Sequence, residues 1–160
     1  MKPDNKFPGA RQATRRNQAW AVDIAMLDLG GSPLVTLVID VHTRCPLSAT
    51  VSPTISGAVT DGLDRLVRSF ERPEAIWVDY VHDHASFPFM TWADRHGISL
   101  IYGVLPRAKD LTQAALRDLG AHLHDKHFAT LIELGDDIER WRKRYAPTPR
   151  AFPAVTNGDQ

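Results

Sequence analysis

Apolar residues in this chain fall into short unbroken runs and longer stretches at helical spacing, separated by polar turns. Ala19 to Leu29 (AWAVDIAMLDL) is almost wholly apolar, as expected of a central strand covered on both faces. The turn Gly30-Gly31-Ser32-Pro33 and the run Leu34 to Ile39 complete a hairpin with a longer loop, and a third strand is expected from about Cys45 to Val51. Thr54 to Phe70 reads as a helix, with Ser56 as N-cap and Val59, Leu63, Leu66 and Phe70 on one apolar stripe. Ala75 to Val78 is a short buried strand that ends in an acid, Asp79. After a polar turn, Phe89 and Trp92 stand at helical spacing, Gly97 suits the residue just past that helix, and Ile98 to Tyr102 is the next strand. Gly103 to Lys109 reads as a loop. A helix follows from Asp110 to about His124, with Leu111, Ala115, Leu119 and Leu123 on its stripe. The last helix runs from about His127 to Tyr145 on Phe128, Leu131, Leu134, Ile138, Trp141 and Tyr145.

The order βββαβαβαα predicts an α/β fold: a mixed five-stranded sheet, a three-strand meander followed by βαβ units, with helices on both faces. A doubly wound nucleotide-binding fold is disfavoured, because no glycine-rich phosphate loop is present. Residues 1–18 are polar, with Pro3, Pro8 and Gly9, and read as a flexible basic arm. Residues 19–145 form the folded core, and 146–160, with Pro147, Pro149 and Pro153, a tail or the start of a linker.

Composition adds limits rather than chemistry. The 160 residues suit one domain, and 43% hydrophobic with 24% charged residues indicates a soluble globular protein. Formal net charge is zero, so no global basic field points to nucleic acid. The charge is uneven, however. Lys2, Lys6, Arg11, Arg15 and Arg16 crowd one end, and Arg140, Arg142, Lys143, Arg144 and Arg150 the other. Both clusters are open to two readings, solvated termini or phosphate contacts. Cys45 is the one cysteine, which rules out a disulfide framework and a cysteine-based zinc site. Nothing resembles a signal peptide or a membrane span, so a cytoplasmic location without a membrane partner is expected.

Two carboxylates stand out. Asp23 interrupts an apolar strand, where a carboxylate is costly unless it is paired or binds a metal. Asp79 sits at the carboxyl end of a strand, the side on which open α/β sheets build their ligand crevice. Asp40 and Arg44 fit a structural role, pairing with each other or capping a turn. His82 and His84 could reach one metal from an extended loop but read as a surface loop, and His122, His124 and His127 as a solvated helix end. Ser48, Ser52 and Ser56 show no nucleophile elbow.

Asp79, Asp83, Ser86, Phe89, Trp92, Gly97 and Ile98, with Trp20, Asp23, Gly30 or Gly31, Ile39, Asp40, Thr43 and Arg44 before them, and Ile138, Trp141 and Tyr145 after, carry a resemblance. The pattern resembles the catalytic core of retroviral-integrase-like (DDE) transposases and integrases, over about residues 19 to 145. The resemblance implies an RNase H-like fold and a dimeric enzyme of DNA integration. Such an enzyme nicks element ends and transfers them to target DNA with Mg²⁺ or Mn²⁺. It implies Asp23 and Asp79 as metal ligands, and Arg107, Lys109, Arg15 and Arg16 as contacts to DNA phosphates. The sequence departs from the pattern in two places. Tyr80, Val81 and His84 alter the loop after Asp79. The third acid, a glutamate, is missing: its position falls on Ala115, or on Gln113 in a second register, and no Glu occurs between Glu74 and Glu133. The glutamate was replaced, or the protein is an inactive copy, or Asp110 or Asp118 substitutes. The alternative function is a non-catalytic RNase H-like module that binds nucleic acid or protein. A hydrolase acting on RNA would need a further acid near Asp79, and Asp83 is the one candidate.

Overall fold

A computed structural model describes residues 13–53, 58–78, 87–102 and 106–147. Its strands are β1 (Ala19–Met26), β2 (Leu34–Asp40), β3 (Pro46–Ser52), β4 (Ala75–Val78) and β5 (Ser99–Tyr102). Its helices are α1 (Ala58–Ser69), α2 (Phe87–Arg95), α3 (Pro106–Leu123) and α4 (Leu131–Arg144). The five strands form one sheet in the order β3-β2-β1-β4-β5. β1 pairs antiparallel with β2, Asp23 opposite Leu37, and parallel with β4, Val22 opposite Val78. This is the expected mixed sheet: a meander of three strands, then two parallel crossovers, with β1 at the centre.

The apolar run of β1 is explained by burial on both faces. Trp20 and Val22 enter one core with Leu63 and Leu66 of α1, Ile76 and Val78 of β4, and Phe89 and Trp92 of α2. Residues of the other parity meet different partners. Leu27, Val35, Leu37 and Ile39 pack beneath Ala115 and Leu119 of α3 and Leu134, Ile138 and Trp141 of α4, with Ala25 at the margin. Each fully buried Leu, Ile or Val contributes about 1.5–3 kcal/mol by leaving water. Two layers of helix on one sheet therefore supply most of the driving force.

Several boundaries differ from the sequence reading. β1 stops at Met26, because Leu27 N–H turns to donate to the Pro33 carbonyl and closes the hairpin. The expected N-cap Ser56 lies outside the described residues. α3 begins at Pro106 rather than Asp110, so Pro106 to Lys109 are helical and not loop. Proline suits the first turn, where its missing N–H has no partner to lose. α4 begins at Leu131, after the expected His127, since Thr130 caps it: its Oγ1 accepts from Glu133 N–H at 3.2 Å, and Glu133 reaches back to accept from Ala129 N–H at 2.8 Å. Gly97 behaves as expected: its φ of +64° ends α2, in a region that suits glycine.

Buried carboxylates pin the joints. Asp40 is fully buried at the end of β2. It accepts from Asn17 N–H (3.2 Å), Thr43 N–H (3.3 Å) and Thr43 Oγ1 (2.8 Å), which is the turn-capping role expected of it. On α4, the Asp137 carboxylate meets Lys126 Nζ and His122 Nε2 through Oδ2, at 2.8 and 2.9 Å, and Arg140 Nη2 through Oδ1 at 2.9 Å. His122 is thus not a solvated histidine but part of the joint between α3 and α4. Among the described residues no helix is long and apolar enough to cross a membrane.

Burial alone would push the Asp137 carboxyl up, but the hydrogen bonds from Lys126 and Arg140 and the charges of Lys126 and His122 outweigh it and hold it at about 2. The folded pKa lies below the ordinary 3.8, so the ionised carboxylate stabilises the fold above that value. This contribution, on the order of 2 kcal/mol, disappears as pH falls from about 3.8 through about 2. Denaturant titrations of the protein and of Asp137→Asn should therefore differ at pH 7 and converge toward pH 2.

Candidate active site

Strand alternation decides where Asp23 points. Trp20 and Val22 face α1 and α2, so Ala21, Asp23 and Ala25 face the side of α3 and α4. Asp23 is half-buried there and holds an interaction of its own, so it is not a bare charge in an apolar layer. Asp79 follows Val78, the last residue of β4, and lies outside the described residues, as do Tyr80, Val81, His82, Asp83, His84 and Ser86. Val78 is the register partner of Val22, and Asp23 and Asp79 are the next residues along their two chain segments.

α3 crosses the same face of the sheet. Thr112, Ala115, Leu119 and Leu123 are its buried residues, at the spacing of one helix face. Ala115, the first candidate for the missing acid, is fully buried in the apolar cluster with Val35, Leu37 and Leu119. Gln113, the second, is exposed. Thr112 is the buried polar residue of this face, 3% exposed, and it too holds an interaction. The sequence reading passed over it. The signal was present, since Thr112 stands three residues before Ala115 on the same helical stripe, but a threonine between apolar positions reads as neutral until burial is known.

The two aspartates weighed as substitutes separate clearly. The Asp118 Oδ1 accepts the indole N–H of Trp141 at 2.7 Å, so this carboxylate ties α3 to α4. Asp110 is exposed on α3 and holds an interaction. The same use of a carboxylate recurs across the sheet, where Asp64 of α1 accepts from Trp92 Nε1 of α2 at 2.7 Å. That hydrogen bond, with the nearby His96 and Arg68, holds the Asp64 carboxyl below its ordinary range.

The candidate DNA contacts are spread out. Arg15 Nη2 donates to Glu74, with Glu71 at 3.7 Å from its Nη1, and Arg16 is exposed next to it. Arg107 and Lys109 lie in the first turn of α3, which contains no acidic residue, and their side chains lie outside the description. Among the described residues no three His, Cys, Asp or Glu side chains come together as a metal group. Asp23 brings one carboxylate to the α3 side, while Ala115 brings no donor atom to it. His124 pairs with the adjacent Asp125 at 2.8 Å.

No protein-family profile matches the sequence, and no curated protein does. Solved structures do match in fold. One is a chain of the simian T-cell lymphotropic virus intasome, seen by cryo-electron microscopy in complex with the PP2A regulatory subunit B56 gamma. It aligns over 94% of this chain with a TM-score of 0.68 and 16% identity. The chain spans 62% of that protein's length. Another is the crystal structure of the catalytic core domain of BIV integrase. It aligns over 80% of this chain and 99% of its own, with a TM-score of 0.57 and 13% identity. The fold is therefore the RNase H-like fold of an integrase core.

The burial of Ala115 yields a prediction. Ala115→Glu should destabilise the protein by about 2–4 kcal/mol at pH 7, because it places a carboxylate and added volume in a packed apolar layer. Gln113→Glu, on the exposed side, should stay within about 0.5 kcal/mol. Urea denaturation of the two variants beside the parent reads the difference directly.

Proposed function

We propose that this chain is the catalytic core of a DNA transposase or integrase, with one divalent cation held between Asp23 and Asp79 and the third acidic ligand absent. The observation that supports the reading is Asp23 itself. It is a half-buried carboxylate on the α3 side of the central strand, in an integrase-core fold, beside the strand that leads into Asp79. Mg²⁺ and Mn²⁺ are hard cations held by few carboxylates, completed by water and substrate phosphate, so a two-aspartate site suits them. A cation bound there would stabilise charge on the oxygens of an in-line phosphoryl displacement.

The rest of the site works through charge. Arg107 and Lys109 place cations at the amino end of α3, where the helix dipole is already positive and disfavours them. A DNA phosphate would relieve that repulsion and gain affinity without reading sequence. Arg16 would add a further phosphate contact, and Arg15 would have to leave Glu74 to do so. Element ends and target DNA are the substrates in this reading, and a dimer is its working form.

A second reading is favoured by Ala115. Its burial among Val35, Leu37 and Leu119 gives α3 an apolar sheet-facing side at one candidate position of the third acid. A core that kept the fold without the chemistry, as a nucleic-acid- or protein-binding module, would tolerate this.

Calorimetric titration with Mn²⁺ separates the two. The catalytic reading expects one ion per chain, and loss of that binding in both Asp23→Asn and Asp79→Asn, with thermal stability retained in the metal-free state. Absence of Mn²⁺ binding above background in the parent would sink it and leave the binding module.

A further inference from the structure

Two contacts meet at one nitrogen of the α3–α4 joint. His122 Nε2 lies 2.9 Å from Asp137 Oδ2 and 3.1 Å from Lys126 Nζ. Lys126 Nζ also donates to Asp137 Oδ2, at 2.8 Å. An ionised carboxylate only accepts and an ammonium only donates. Nε2 can therefore donate to Asp137 only when it carries a proton, and accept from Lys126 only when it does not. The two contacts exclude each other, so the three side chains have two arrangements that differ by one proton. With His122 neutral and its proton on Nδ1, Lys126 bridges Nε2 and Asp137. With His122 charged, its Nε2–H holds Asp137 and stands beside a second cation, Lys126, which like-charge repulsion drives outward. Arg140 stays on Oδ1 of Asp137 at 2.9 Å in both.

Lys126 is the member that can leave. Its side chain is 38% exposed, against 17% for His122 and 9% for Asp137, so water can take the ammonium but not the other two. Lys126 also closes the turn after α3. Its N–H donates to the Leu123 carbonyl at 3.1 Å, and the turn passes through Asp125 at φ +61°, a region that costs residues with a Cβ. The Lys126 ammonium ties that turn to α4. Two other titratable groups lie close by. Asp118, one turn before His122 on α3, accepts from Trp141 Nε1 at 2.7 Å, and His124 pairs with Asp125 at the surface. We propose that His122 is a proton-operated switch of the α3–α4 joint. Protonation passes Asp137 from Lys126 to His122 and releases the turn at residues 124–127 from α4. Imidazole suits this role, because its charge changes near neutral pH. The switch needs no metal site and no DNA, so it and the catalytic reading can fail separately.

Nitrogen-15 NMR of the histidine side chains in the whole chain tests it, with His122→Gln identifying the His122 signals. At about pH 8 the Nε2 of His122 should show the shift of a bare acceptor nitrogen, with the proton on Nδ1. At about pH 5 both nitrogens should be protonated. Over the same range, exchange of the Lys126 N–H, corrected for its intrinsic pH dependence, should rise about fivefold or more as the turn opens. His122→Gln has no proton to gain and keeps His124, so the rise should vanish in it. In Lys126→Met, His122 should take up its proton about half a pH unit or more higher than in the parent, because a neighbouring cation no longer opposes it. The tautomer and the exchange of the parent decide the matter even where a variant fails to fold. A proton on Nε2 at about pH 8, Lys126 exchange that ignores the titration, a rise that persists in His122→Gln, or an unmoved titration in Lys126→Met would overturn the proposal.

Discussion

Everything in this fold hangs on the two ladders of β1. On one edge its backbone pairs antiparallel with β2, and on the other parallel with β4. Those ladders join a local hairpin meander to a βαβ half whose strands are distant in sequence. Over Ala19–Val22, β1 has neighbours on both edges and is buried throughout, so a polar residue there would be costly, and burial loosens from Asp23 onward. Asp23 persists in that strand, half-buried and engaged in an interaction. A half-buried carboxylate in the central strand of the sheet is the strongest physical reason to look for function there.

Away from that strand, carboxylates serve as acceptors at joints between elements. Asp64 joins α1 to α2 through Trp92, Asp118 joins α3 to α4 through Trp141, Asp137 binds the end of α3 to α4, and Asp40 closes the β2–β3 turn against Asn17. In each case the acid meets an indole, a backbone N–H or a cation. This division of labour separates structural acids from candidates for chemistry. Asp118 could stand in for a missing glutamate by sequence alone, yet its oxygen is occupied on the α4 side.

Ala115 is fully buried in an apolar layer. The layer between α3 and the sheet is closed by Val35, Leu37, Leu119 and Ile138, and a glutamate at Ala115 would have to displace that packing. Thr112, one turn earlier on the same face, is where a polar group is tolerated.

The sequence by itself determined the order of elements, the central place of the Ala19 run, the sheet's mixed character and the identity of Asp23 as a misplaced charge. These follow from local periodicity and from the cost of burying an ion, both visible in a single chain. Helix ends were less legible. Pro106 and Thr130 move the starts of α3 and α4 because capping depends on which side chain reaches which N–H, and several candidates lie close together in each case. Only the tertiary structure decided the rest. It showed that Asp118 and His122 hold the α3–α4 joint, that Asp40 caps the β2–β3 turn, and that Ala115 packs among apolar side chains. Those outcomes depend on which residues from distant segments share a face, and spacing along one chain does not encode that.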